Sequence, residues 1–307
     1  MKRTSIALAG LAAVALTCPV MAAENIILIN HSDGTDPFWP VVVKGAEDAA
    51  ALVGANLEYR HPNAVDAIEM AQIIRAAVAL KPDGLIISIL DPTVIGPEIR
   101  AAVDAGIPVV SMNSGGDVAR DYGVLFHVGQ PEYDAGMGAG MRSDATGVTH
   151  GLCVNPQAQN DAITQRCQGY ADGLGDPLNM IDATNDPAEI RTRTAAALAA
   201  DSSIDGVLAT GPHVCTAVMD AISELGVEDR VQLGCFDVSA DVVAGIKSGA
   251  VAYTIDQQQY LQGYMPVIGL DLYLKYGLLP GGDILSGPGF VTLENVAQVE
   301  ELAGTIR

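Results

Sequence analysis

From residue 24 onward the apolar residues fall into short runs that alternate with amphipathic or alanine-rich stretches. Short apolar runs bounded by Gly, Pro or Asp read as strands, and apolar positions spaced three and four apart read as helices. The pattern predicts strands over 26–30, 55–60, 84–89 and 107–113, with helices over 39–52, 67–80 and 94–105 between them. Asp83-Gly84 and Gly106-Ile107-Pro108 punctuate the helix ends before the next strand. A short strand over 125–128 and a helix over 132–141 follow, and the alternation then starts afresh. Its second series has strands over 151–154, 206–210, 231–236 and 251–255, with helices over 162–174, 188–200, 214–225 and 240–248. Strands apolar on both faces imply a parallel sheet covered on each side, so two series predict two α/β lobes. A last helix over 260–276 and a strand over 290–293 then have to return across the junction. No linker rich in Gly, Ser or Pro parts the two series, which predicts several chain crossings rather than one tether.

The first 23 residues follow a different pattern. Lys2 and Arg3 precede an apolar, small-residue run over 6–16, and Val20-Met21-Ala22 offers small residues for cleavage. This is the form of a cleaved secretory signal peptide, shorter than the roughly 20 apolar residues that span a bilayer. It predicts export, to the periplasm in a Gram-negative cell. Ala15-Leu16-Thr17 before Cys18 lacks the leucine expected upstream of a lipidated cysteine, so Cys18 is expected to leave with the signal.

Removing that segment changes the formal charge from −21 to −23, with 14 basic residues left against 37 acidic ones. Such acidity repels phosphate backbones and anionic lipid, and so excludes nucleic acid and membrane surfaces as partners. Four cysteines remain, Cys153, Cys167, Cys215 and Cys235, without CxxC or Cys/His spacing for zinc. In an oxidising compartment they read as disulfides. Cys153 on a strand and Cys167 on the following helix are expected to be bridged; for Cys215 and Cys235 a bridge and free thiols both stay open.

Ligands of open parallel sheets sit beyond the carboxyl ends of the strands. In the first lobe that selects His31-Ser32-Asp33-Gly34-Thr35-Asp36-Pro37-Phe38-Trp39 and Asn113-Ser114. In the second it selects the stretch 157–166, Gly211-Pro212-His213, Asp237 and Asp256-Gln257.

Four segments together resemble the type I periplasmic binding proteins of sugar ABC transporters, the ribose-binding-like group. They are Asp36-Pro37-Phe38-Trp39, Gly106-Ile107-Pro108-Val109-Val110, Gln165-Arg166-Cys167-Gln168-Gly169-Tyr170, and Gly234-Cys235-Phe236-Asp237 followed by Gly249 and Asp256-Gln257. Each is weak alone, and their order and spacing behind a signal peptide make the combination specific. The resemblance implies two doubly wound parallel-sheet lobes joined by a hinge crossed three times, near Val128, Gln257 and Gly287. The first lobe would comprise 24–128 and 257–287, the second 129–256 and 288–307. It further implies a monomeric, non-enzymatic protein without cofactor or metal, which closes on a monosaccharide or polyol and docks on the transmembrane subunits of a permease. A chemoreceptor that reads the same closed form is a compatible partner.

Carried onto this chain, the ligand-binding set is Ser32, Asp36, Phe38, Trp39, Asn113, Arg166, His213, Asp237 and Gln257. Phe38 and Trp39 offer aromatic faces to the C–H face of a sugar ring. Arg166 can donate a forked pair of hydrogen bonds to adjacent hydroxyls, and Asp237 can accept from hydroxyls while pairing with Arg166. Gln257 offers a donor and an acceptor at the hinge, and Asp36 equally suits a cap of the helix beginning at Pro37. Two departures stand out. Asn113-Ser114 replaces the family's Asp-Arg pair, and Gly211 replaces a frequent asparagine ligand, whose contact His213 is placed to supply. Both are expected to change which polyol is accepted.

A binding protein for a nucleoside, an autoinducer or an amine is the nearest alternative, since the same aromatic and acidic residues suit a cation. An enzyme is less supported: no GxSxG, HExxH or Walker motif occurs. Gly136-Met137-Gly138-Ala139-Gly140 falls inside a predicted helix, where it permits close helix packing rather than dinucleotide binding.

Overall fold

The computed structural model describes residues 23–307. All but the last alanine of the expected export signal, and Cys18 with it, lie outside the described residues. Two six-stranded sheets form two α/β lobes. In the first, β1 (Asn25–Ile29), β2 (Asn56–Arg60), β3 (Gly84–Ile87), β4 (Val109–Met112), β5 (His127–Gly129) and β11 (Ile284–Leu285) run parallel in the order β2-β1-β3-β4-β5-β11. In the second, β6 (Gly151–Asn155), β7 (Met180–Asp182), β8 (Gly206–Ala209), β9 (Gln232–Phe236), β10 (Tyr253–Asp256) and β12 (Gly289–Val291) take the order β7-β6-β8-β9-β10-β12. Here β12 is antiparallel to β10, so this sheet is mixed at one edge.

Alternation along each central strand divides its side chains between two layers. In β1, Ile27 and Ile29 pack with α2 (Ala67–Ala79) and α3 (Pro92–Asp104), while Ile26 and Leu28 pack with α1 (Phe38–Val53) and α9 (Gln259–Tyr276). The second lobe repeats this: Leu152 and Val154 face α6 (Pro187–Ala200), α7 (Pro212–Leu225) and α8 (Ala240–Ser248). Cys153 faces α4 (Glu132–Asp144) and α5 (Asp161–Leu174). All nine predicted helices are present among the described residues. Two strands escaped the pattern, β7 and β11, because one is a half-exposed edge of three residues and the other has two.

Glycine lets one helix pair in each lobe approach to backbone contact. On α4 and α5, a Cβ on Gly136 would run into the carbonyl of Arg166, and one on Gly140 into that of Tyr170. The glycine cluster is thus a packing seam, as its place inside a helix implied. Gly45 and Gly263 join α1 and α9 in the same way. The α1–α9 seam also shows where the chain changes lobe: β10 ends the fourth parallel pair of the second sheet, and α9 packs on the first lobe. Gln130-Pro131 leads from β5 to α4, and the stretch 286–288 leads from β11 to β12.

Both cysteine pairs are bridged, Cys153 to Cys167 and Cys215 to Cys235, with Cα separations of 5.5 and 5.7 Å. The pairing left open by the sequence is therefore formed. Each bridge ties a strand of the second sheet to a helix packed on it. Loops of 14 and 20 residues are closed, for which chain entropy contributes about 3 kcal/mol each. Reduction is expected to lower the melting temperature, and Cys215→Ser/Cys235→Ser to remove up to that amount in chemical denaturation. Thiol titration of the oxidised native chain should find none of the four free.

Candidate functional site

The carboxyl ends of the strands in both lobes point at one junction. There a small cavity, with about 30 Å³ of water-accessible volume, lies between them. His31, Asp36, Phe38, Trp39 and Asn113 line it from the first lobe, and Gln157, Asn160, Arg166, Thr210, His213 and Asp237 from the second, with Gln257 at a crossing. A larger hollow between the amino ends of β8, β9 and β10 opens to solvent and has no aromatic lining. The strand-end cavity joins polar groups from both lobes with aromatic faces and with the shifted titrations of His31 and Asp237, which marks a binding site.

On the first-lobe side, Trp39 meets His31 and Phe38 edge to face, with ring centroids 4.8 and 5.0 Å apart. Both aromatics line the cavity while packing into the core beside Val42. His31 shares a 2.8 Å hydrogen bond with Ser88 through Nδ1. Burial, only partly offset by Asp36, pushes its pKa down to about 4, so the ring is neutral at neutral pH. Asp36 accepts the Phe38 amide at 3.0 Å where α1 opens and also lines the cavity. Ser32 does not reach the lining: its hydroxyl accepts the Gly34 amide at 2.9 Å and closes the local turn.

On the second-lobe side, Arg166 is 3% exposed and its fork is already engaged. Nε donates to Glu132 Oε2 at 2.7 Å, Nη2 to Glu132 Oε1 at 3.0 Å, and Nη1 to the Thr210 carbonyl at 2.9 Å. The guanidinium also lies over the Phe236 ring, 4.4 Å from its centroid. A buried guanidinium requires such a partner, and the α4–α5 glycine seam brings Glu132 close enough to serve. Arg166 therefore enters the cavity neutralised, with two of its five N–H groups uncommitted. The expected direct pairing of Asp237 with Arg166 is not formed. Asp237, with φ of 72°, accepts from Gln257 Nε2 at 2.8 Å instead. Burial raises its pKa to about 7 against the opposing pull of Arg166 and Gln257. It does not cap α8, whose N-cap is Ser239.

At the crossing, amides form a continuous network. Asn113, in a left-handed conformation with φ of 64°, donates to Gln262 Oε1 at 3.1 Å and accepts from Ser114 Oγ at 2.9 Å. Gln262 donates to Gln257 Oε1 at 2.9 Å and to Ser286 Oγ at 3.1 Å. Asn113 thus faces the cavity with both ends of its amide bonded to neighbours, so its place in the site is as much hinge as ligand contact. His213 stands beside Gly211, 3.6 Å from where a Cβ would sit, and its Nδ1 is 3.6 Å from Asp36 Oδ1 across the lobes. Burial opposes its charge, but Asp36, Asp33 and Asp237 outweigh burial and raise the pKa.

Several residues escaped selection from the sequence. His31, Gln157 and Asn160 lay in stretches flagged as strand ends. Asn160 caps α5 through the Ala162 amide at 3.1 Å and donates to Gln157 at 2.9 Å and to His31 Nε2 at 3.4 Å across the cleft. Glu132 could have been sought as the acid a buried Arg166 demands. Nothing local in the sequence marks Gln262 or Thr210.

Two α/β lobes crossed three times, with polar groups from both converging on one cavity at the strand ends, define a two-lobed solute-binding protein. The chain belongs to the periplasmic binding protein domain family, whose profile matches residues 26–276. It is 34% identical to a solved carbohydrate transporter from Acidothermus cellulolyticus in complex with myo-inositol, with a TM-score of 0.87 over 92% of this chain and 98% of that one. Curated relatives include a xylose/arabinose-binding protein of Sulfolobus acidocaldarius, 25% identical over 89% of this chain and 72% of that protein. A ribose import binding protein of Haemophilus influenzae is 25% identical over 83% and 87% of the two chains.

Glu132→Gln is expected to cost about 3–5 kcal/mol in urea denaturation, because it strands a buried guanidinium. Glu132→Met/Arg166→Met should recover most of that loss. For Asp237 the folded pKa is raised, so its contribution is present at acid pH and is lost as pH climbs to about 7. Asp237→Asn should therefore flatten the pH dependence of the melting temperature and exceed the wild type above that pH.

Proposed function

We propose that this chain is the solute-binding component of an ABC importer, trapping one monosaccharide or cyclic polyol between its lobes and delivering it to the permease. The observation that carries this is the cavity itself, where Phe38 and Trp39 on one side face hydrogen-bonding groups from both lobes. Micromolar affinity needs about 8 kcal/mol, which a few charge-assisted hydrogen bonds of about 1.5–3 kcal/mol each supply. Closure is driven by ligand contacts that exist in full only when the lobes meet, so ligand shifts the population to the closed form. The likeness to a protein solved with myo-inositol supports a cyclic polyhydroxyl ligand.

A binding rather than catalytic role is supported by the pairing pattern. Arg166 is held by Glu132 and Asp237 by Gln257, and Ser88, the hydroxyl bonded to His31, is fully buried behind the lining and out of reach of a ligand as a nucleophile. The signal-like residues 1–23 support work in the periplasm, and a strand-end cavity completed by the two lobes of one chain is in keeping with a monomer that docks on transmembrane permease subunits. Calorimetry against myo-inositol, D-xylose, D-arabinose, D-ribose and D-glucose, with putrescine as a cationic control, tests the proposal. At least one polyol should bind with compaction in small-angle scattering. Binding of the amine alone would transfer the site to cations. Trp39→Leu should weaken the polyol at least about tenfold, through loss of the aromatic contact.

A further inference from the structure

Among the described residues lining the cavity, His213 has both ring nitrogens buried without a hydrogen-bond partner. The Asp36 carboxylate lies 3.6 Å from Nδ1. Asp36 belongs to the first lobe, at the opening of α1, and His213 to the second, in the first turn of α7. Their separation is therefore set by closure. Carboxylates from three further elements add charge of the same sign as Asp36, while His31 across the cavity is neutral. Asp33 faces it from the β1–α1 loop and Asp237 from the end of β9. Asp220 on α7 and Asp241 on α8 line the adjoining outer hollow, which Pro37 of the first lobe completes. Arg166, the cation across the cavity, is neutralised by Glu132.

We propose that His213 and Asp36 form an ionic bolt across the mouth of the cleft, holding the lobes closed and coupling ligand retention to proton uptake by the protein. The bolt rests on the reading of the cavity as a polyol trap. His213 acts through Asp36 as a positioning residue for closure. Beside it, Asn185 donates to Asp33 Oδ2 at 2.9 Å between the same two lobes, a neutral-to-charged bond that a proton on His213 leaves alone. The surrounding carboxylates raise the His213 pKa when the lobes meet. A raised value favours the closed form fully below the ordinary histidine range near 6.5, and the advantage is lost as pH rises through the raised value. Asp237 titrates at about 7, in the same window, so His213 is identified by variants: the fall in affinity should persist in Asp237→Asn and vanish in His213→Gln.

The test is calorimetry with myo-inositol, D-xylose and D-ribose from about pH 6 to about pH 9, on the wild type, His213→Gln, Asp36→Asn and the double variant. Asparagine keeps the acceptor that opens α1. Wild-type affinity should fall about fivefold across the range, and each single variant should bind weakly and uniformly on the alkaline side. The double variant should lose no more than either single one, because the two side chains act as a unit. Losses that add would place His213 on the ligand and overturn the bolt, as would wild-type affinity independent of pH. Ligand-free scattering supplies a second readout: the radius of gyration should grow from acid to alkaline pH in the wild type and not in His213→Gln. A folded wild type that binds none of the probes at any pH sinks the polyol reading. With that outcome, a ligand-free radius unmoved by pH overturns the bolt too.

Discussion

A guanidinium removed from water must be neutralised and hydrogen-bonded, or the fold that buries it is lost. Arg166 meets that demand through Glu132, and the second half of the cavity is arranged around the meeting. Glu132 opens α4, Arg166 sits one turn into α5, and the pair forms because glycines on both helices let the backbones touch. Phe236 closes the face of the guanidinium and the Thr210 carbonyl takes a further N–H. With that charge fixed, Asp237 can stay buried in its shadow with a partly retained proton. The polar character of the site is thus set by packing between two helices, upstream of any ligand.

The hinge is built on a different economy. Asn113, Gln257, Gln262 and Ser286 carry no charge, and their amides and hydroxyl bond one another across the crossing segments. Neutral groups with several donors and acceptors can exchange partners as the lobes rotate without stranding a charge, which buried ions cannot do. Charge between the lobes is instead left to His213 and the carboxylates around it.

The fold was legible because period and punctuation agree along nearly the whole chain. Doubly buried strands such as 84–87 and 109–112 read as apolar runs, and Asp66, Asp91 and Ser239 mark helix starts as caps. Strands without a full core face, β7 and β11, carried no such signal. At the site, the rule that ligands lie beyond strand ends found most of the lining, including Trp39, Asp237 and Gln257. It did not find who pairs with whom. Arg166 reaches the cavity as expected, but its pairing with Glu132 was not legible, since that partner is 34 residues away and is supplied by tertiary packing. Ser32 looked available and is consumed by its own turn, a local competition that polar residues near glycine often lose.

The bridges Cys153–Cys167 and Cys215–Cys235 both lie in the second lobe, and beyond residue 22 the chain holds no other sulfhydryl residue. Covalent reinforcement is therefore one-sided. The first lobe is a chemically silent surface, on which a single introduced thiol, at an exposed position such as Leu52 or Leu80, can take a dye without competing with native sulfur. Labelling there marks one lobe alone and leaves the staples of the opposite half intact.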